Sequence, residues 1–317
     1  MHREGTCIPS APDERHVKPP PALEPAGDEV LIDVECAGLG NWDEMMRTGG
    51  WGSALAGPFA HGVQVAGRVC GLGPAASAFA VGDEVLSHVP QSHSGGSWAK
   101  QVTASSTAVA AKPAGLSWEQ AAALPVPGLA AYELLHEALR IREGETLFVH
   151  GASGITGRLL VQLAAAQGLH VVATAEPAGA ELVAGFGADA VIDPGLADWP
   201  DRVREALGAQ GASAAAVVAP GGAVAALSLV ADGGRFATIA DPEPPPPERG
   251  IEPRYLRVHP DGELLGRAAQ ALDRGEITMV QPCAFALTDV EQALQTVLAC
   301  TDATPVVISV AQASAGG

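Results

Sequence analysis

Residues 147–168 read LFVHGASGITGRLLVQLAAAQG, and no other stretch constrains the fold as tightly. An apolar run enters glycines at Gly151, Gly154 and Gly157, then continues as a segment of helical texture. A strand that turns sharply into a helix needs residues of this kind. Gly151 permits the turn, Gly154 lets a guest approach the backbone without meeting a Cβ, and Gly157 lets the helix pack close to the strand. The unpaired N–H groups of the first helical turn, with the helix dipole behind them, then favour an anion. The pattern predicts a seat for a cofactor diphosphate. The plainer alternative is that the glycines serve helix–sheet packing only.

The surroundings favour the seat. From about 124 the chain alternates: a helix over 124–139, strand 146–151, a helix through Gly168, strand 170–175, helix 178–187, and strand 190–195. A helix near 199–208, strand 214–220, helix 223–230 and strand 235–240 complete the run. Such alternation implies right-handed crossovers and a parallel sheet covered on both faces. The first 120 residues instead carry short strands (29–39, 63–73, 81–89 and 98–106) with Gly and Pro between them, as in a small, partly closed β-domain. Four consecutive prolines in DPEPPPPERG (241–250) make a stiff surface loop. Strand 254–258, helices 261–275 and 287–300 and strand 305–310 follow, and no internal repeat is present.

Composition narrows the partners. Across 317 residues the formal charge is −18, and the only lysines are Lys18, Lys100 and Lys112. That field repels phosphate backbones, so nucleic acid is not expected as a partner. Anion binding must come from backbone dipoles or a local arginine. Five scattered cysteines without metal-hook spacing suggest a reducing cytoplasm. The polar start MHREGTCIPSAPDERH does not read as a signal peptide. Residues 208–231 carry no charge, but they are mostly Ala and Gly, interrupted by Pro220-Gly221-Gly222, so a buried strand, turn and helix are expected rather than a membrane span.

The strand after the glycine turn normally ends with the residue that sorts dinucleotides, an acid for NAD or a nearby base for NADP. Ala175 occupies the expected place, with Glu176 one later, and no Lys or Arg lies between Arg158 and Arg202. Ala175 argues against NAD, and the missing cation weakens NADP. A phosphate would have to be held by Ser153, Thr174 and backbone groups, with an arginine from a distant loop.

The order of elements resembles the medium-chain dehydrogenase/reductases, most closely their zinc-independent quinone-oxidoreductase branch related to zeta-crystallin. The likeness covers almost the whole chain and rests on PFAHGVQVAGRVCGLGPAASAFAVGDEV (58–85), AAALPVPGLAAYELL (121–135), LFVHGASGITG and RVHPDGELLGRAAQALDRGEI (257–277). It implies an α/β protein of two domains. Residues 1–123 and 262–317 would form a GroES-like β-barrel catalytic domain and residues 124–261 a Rossmann domain, a doubly wound parallel sheet. It further implies a homodimer and hydride transfer from NADPH, in a cleft between the domains, to a quinone or an α,β-unsaturated carbonyl. The cofactor would contact Gly151, Ala152, Ser153, Gly154, Ile155, Thr156 and Gly157, then Thr174 and Ala175, and Ala219 after a later strand. Positions that bind catalytic zinc in the metal-using branch align with Gly40, Val63 and Gln64, which supply no ligand set. The Asn and Tyr common in the quinone-reductase cleft align with Gly40 and Met45.

Candidate polar groups for catalysis are Asn41 and Asp43 on the loop after the first strand, His88 and His93 after the Val-Gly-Asp strand, and Tyr132. Each has a bland account as well: Asp43 as a helix cap, Tyr132 as core, the histidines as solvated loop residues. A cleft poor in acids and bases is still compatible with hydride transfer, because the cofactor carries the hard chemistry and water can serve as donor. A second reading keeps the fold without redox turnover, as a cyclase, isomerase, elimination catalyst or ligand-binding module. The lysine-poor, Ala/Gly/Pro-rich usage would suit a secondary-metabolite tailoring step.

Overall fold

The structure is a computed structural model that describes residues 23–48, 60–89, 95–299 and 303–310. The chain runs β1 (Glu29–Leu39), α1 (Asn41–Arg47), β2 (Gln64–Leu72), β3 (Glu84–His88), β4 (Gln101–Ser105), β5 (Val109–Ala111) and α2 (Trp118–Ala123). Then come α3 (Pro125–Glu133), β6 (Thr146–His150), α4 (Ile155–Ala166), β7 (His170–Thr174), α5 (Pro177–Gly185), β8 (Ala190–Ile192) and α6 (Trp199–Leu207). Last are β9 (Ala212–Val217), α7 (Ala223–Ser228), β10 (Val230–Thr238), β11 (Arg254–Tyr255), α8 (Gly262–Asp273), β12 (Cys283–Ala286), α9 (Val290–Ala299) and β13 (Val306–Ser309).

These elements divide into two compact units. The first takes Met1–Val126, His259–Asp273 and Val280–Gly317. Its sheet follows the order β12-β13-β1-β2-β3-β5, with β4 also on β1. The long β1 is the hub: Glu29–Asp33 pair with β4, Cys36–Leu39 with β13, and β2 runs along the strand. Register shifts between β1 and β2 at Leu31/Ile32 and Val34/Cys36 bend the strand, which lets one strand serve several neighbours. Val30, Ile32 and Val34 alternate inward, as the sequence pattern predicts, to meet Trp98, Val290 and Ala293 in one buried cluster.

The second unit takes Pro127–Val258 and Arg274–Met279. Its six strands are all parallel, in the order β11-β10-β9-β6-β7-β8. Leu147, Phe148 and Val149 of β6 and Ala214–Val217 of β9 are fully buried, as strands covered on both faces must be. The chain winds outward from β6 to β8 and returns to β9 beside β6, so the order reverses between β6 and β9. Ligands of open α/β sheets bind at the strand carboxyl ends at such a reversal. Segment 274–279 joins this unit, although the sequence reading ran 262–317 unbroken in the other domain. The buried Gln162 of α4 explains it: its Oε1 accepts the Thr278 N–H at 2.8 Å and its Nε2 donates to the Thr278 carbonyl at 3.0 Å.

The expected helix over 124–139 is α3 followed by a wider turn over 134–138, closed by the Leu139 N–H on the Leu134 carbonyl at 2.9 Å. Residues 208–231 form β9, a turn and α7, and no helix among the described residues is long and apolar enough to cross a membrane.

Candidate active site

The glycine turn sits at the carboxyl end of β6, beside the reversal of strand order. Gly151 adopts φ +93, and a Cβ there would meet the methyl of Ala219, which follows β9. A side chain at Gly157 would strike the Gly151 carbonyl and the Ala152 backbone. Gly154 differs: a Cβ on it would find only the Gly151 carbonyl, at 3.6 Å. This glycine is also the N-cap of α4 and supplies no side-chain bond to the first turn. Gly154 itself offers no side chain to cap α4, and a Cβ on it would have room. The partial positive charge of the helix start suits an anion such as a diphosphate.

His150, the last residue of β6, holds this turn in place and escaped the sequence reading. Its Nδ1 shares a 2.9 Å hydrogen bond with Thr174 Oγ1, and that oxygen also accepts the Gly151 N–H at 3.1 Å. The Thr174 carbonyl takes the Ala152 N–H at 2.8 Å. Trp199 stacks on the imidazole, with ring centroids 5.2 Å apart. Burial lowers the His150 pKa, against the pull of Asp241, so the ring is neutral at pH 7. A histidine closing an otherwise apolar buried strand was the available signal.

Thr174 consequently faces inward. Its buried hydroxyl, expected to help hold a phosphate, is committed to positioning the turn. Ala175 is buried too, with its N–H on the Ile192 carbonyl. Glu176 is the first exposed residue after β7. Its N–H donates to Ser153 Oγ at 2.9 Å, which joins it directly to the glycine turn.

The described catalytic candidates lie on α1, β3 and α3. Asn41 and Asp43 lie in α1 rather than on a loop, and Asn41 is exposed. Asp43 is buried at the third helical position, where Oδ2 accepts the Gly40 N–H at 2.9 Å and closes the turn out of β1. Its Oδ1 is buried without a hydrogen-bond partner, and burial pushes the carboxyl pKa up to about 7. His88 ends β3 opposite Gln64. Its Nδ1 lies 2.9 Å from the Val63 carbonyl, which can only accept, so that nitrogen carries the proton. Burial lowers the His88 pKa, with the Val63 bond opposing and His259 assisting. A neutral ring whose one N–H is committed is a poor proton donor. Tyr132, on α3 of the other unit, is half-buried and lies 5.8 Å from the His136 ring, centroid to centroid. His93 lies outside the described residues.

Comparison with known proteins follows the same division. The Alcohol dehydrogenase GroES-like domain family matches residues 26–119, and the Zinc-binding dehydrogenase family matches residues 156–259. The quinone oxidoreductase of Mus musculus is 34% identical over 185 residues, 58% of this chain and 55% of that one. Its Homo sapiens counterpart is 30% identical over 217 residues, 68% of this chain and 65% of that one. The chain thus spans somewhat more than half the length of these curated relatives. A mycobacterial structure complexed with NADPH is 30% identical, covering 93% of this chain and 95% of that chain with a TM-score of 0.78. The chain belongs to the medium-chain dehydrogenase/reductase family.

It is a member of the quinone-oxidoreductase type, with the family's GroES-like and Rossmann-like folds as its two units. The residues that the resemblance sets at the zinc positions are Gly40, Val63 and Gln64. Of these only Gln64 is polar, and its buried Oε1 accepts the Val126 N–H at 2.8 Å. Among the described residues no three His, Cys, Asp or Glu side chains gather as a metal site.

Proposed function

We propose that this protein is a zinc-independent, nicotinamide-dependent reductase of quinones or other α,β-unsaturated carbonyls. One observation carries the reading: in a member of this family, α4 starts at a glycine that offers no side-chain cap, and a Cβ on Gly154 would have room. The amides of the first turn and the helix dipole would bind the diphosphate without a cationic side chain, and His150 and Thr174 would hold the Gly151 turn that leads into them. Bound there, a dihydronicotinamide supplies hydride to the conjugated acceptor.

Neither the neutral His88 nor the cap residue Asp43 has a proton placed for an enolate, so solvent water supplies it. Zinc independence is supported by the donor chemistry at Gly40, Val63 and Gln64, two of which have no ligating atom in their side chains. NADPH is the donor carried over from the family resemblance, and the mycobacterial relative was solved with it. A cytoplasmic homodimer acting on small molecules completes the proposal.

The test is a titration of purified protein with NADH and NADPH, followed by nicotinamide fluorescence and then by cofactor oxidation after a quinone or enone is added. Saturable binding with turnover is expected. No binding of either dinucleotide at millimolar concentration would leave a non-redox role on the same fold.

A further inference from the structure

The rim beside the glycine turn carries a carboxylate where a phosphorylated ribose would need a cation. Ala175 is buried, so Glu176 is the first side chain to emerge from the strand end. It lies about twenty residues beyond the glycines, where a dinucleotide-binding unit meets the adenosine ribose. The Ser153 Oγ bond to the Glu176 N–H, at 2.9 Å, ties this residue to the turn. Gly179 backs the contact, since a Cβ there would lie 3.3 Å from Ser153 Cβ. Glu176 is also the N-cap of α5, yet its side chain makes no capping bond. Among the described residues no ion pair or hydrogen bond engages its carboxylate.

No Lys or Arg occurs between Arg158 and Arg202. Arg202 and Arg204 are paired with Asp198 at 3.0 Å and Asp201 at 2.6 Å. A carboxylate accepts hydrogen bonds from ribose hydroxyls, and a phosphate placed on the same ribose meets it as a like charge.

We infer that Glu176 is a specificity-determining residue that accepts the adenosine-ribose hydroxyls and makes this protein prefer NADH to NADPH. The inference rests on the nicotinamide-dependent reading above and revises only its choice of dinucleotide.

Dissociation constants for NADH and NADPH, measured on the intact protein by fluorescence or calorimetry, test it. NADH should bind at least about tenfold more tightly, a difference of one factor of ten in affinity. Glu176→Gln keeps the shape and removes the charge. It should narrow the ratio mainly by improving NADPH, whereas Glu176→Ala should also weaken NADH. Raised ionic strength should narrow the wild-type ratio, because the repulsion is exposed to solvent and screened. NADPH binding as tightly as NADH, or a ratio unmoved by Glu176→Gln, would overturn the inference while leaving a dinucleotide-dependent reductase standing. Failure of both dinucleotides to bind would remove the inference and the reductase reading together. Glu176 is exposed and caps no helix through its side chain, so both variants should fold.

Discussion

His150 and Thr174, at the ends of neighbouring parallel strands, share a 2.9 Å hydrogen bond through Nδ1 and Oγ1. The same hydroxyl accepts the Gly151 N–H, so one oxygen joins two strands and the glycine turn. This arrangement turns a strand end into a rigid rim, and several consequences can be measured.

Thr174→Val preserves shape and removes that oxygen. It leaves the Gly151 N–H and the imidazole without their shared partner in a buried place, which should cost about 1–3 kcal/mol of stability. Thermal or urea unfolding should show the loss, dinucleotide affinity should fall with it, and Thr174→Ser should restore most of both.

The three glycines should fail in different ways. Gly154 has room for a methyl, so Gly154→Ala should fold with a loss of under about 1 kcal/mol at this N-cap position, yet bind dinucleotide much more weakly. Gly157→Ala would drive a Cβ into the Gly151 carbonyl and the Ala152 backbone, and should instead destabilise the fold itself. Circular dichroism melts run beside the binding titration separate the two.

Asp43 sets a pH dependence of known sign. Its folded pKa stands at about 7 against an ordinary 3.8, so the folded state holds the proton more firmly. Stability from this group is therefore present at low pH and lost as pH rises between those values. The maximum loss is about 4 kcal/mol if the whole shift is expressed. Asp43→Asn, which can still accept the Gly40 N–H, should gain stability relative to wild type as pH rises from about 4 to about 7. His88 and His150 have lowered values and contribute the opposite slope on the acid side, so the difference between variant and wild type isolates Asp43.

Metal removal should change nothing. With Gly40, Val63 and a committed Gln64 at the aligned zinc positions, exhaustive dialysis against a chelator should leave both dinucleotide binding and turnover intact. Loss of turnover restored by zinc would point to ligands elsewhere.

Strand and helix periodicity made most of the architecture readable. The 29–39 strand stands where its pattern placed it, and the run from β6 to β10 alternates as expected, although β8 ends at Ile192 and β10 already starts at Val230. The short β5 and β12 left no trace, because three or four residues cannot display an alternation. The expected strand 254–258 shrinks to Arg254–Tyr255, since only these two find backbone partners on β10. Asn41 and Asp43 looked like loop residues because nothing in the sequence shows that the Asp43 side chain reaches back to the Gly40 N–H and closes a short helix. The ribose rim was hardest to read. A one-residue difference at a strand end moves a side chain between core and solvent, so Ala175 and Glu176 exchange roles once the strand's last buried position is known.

The proposed function rests on backbone amides at the start of α4 gripping the dinucleotide diphosphate. The most direct measurement is the backbone amide resonances of the intact protein during titration with NADH. The largest displacements should fall on Gly154, Ile155, Thr156 and Gly157, saturating with the same constant as nicotinamide fluorescence. Saturable binding that leaves those four amides unmoved would contradict the account.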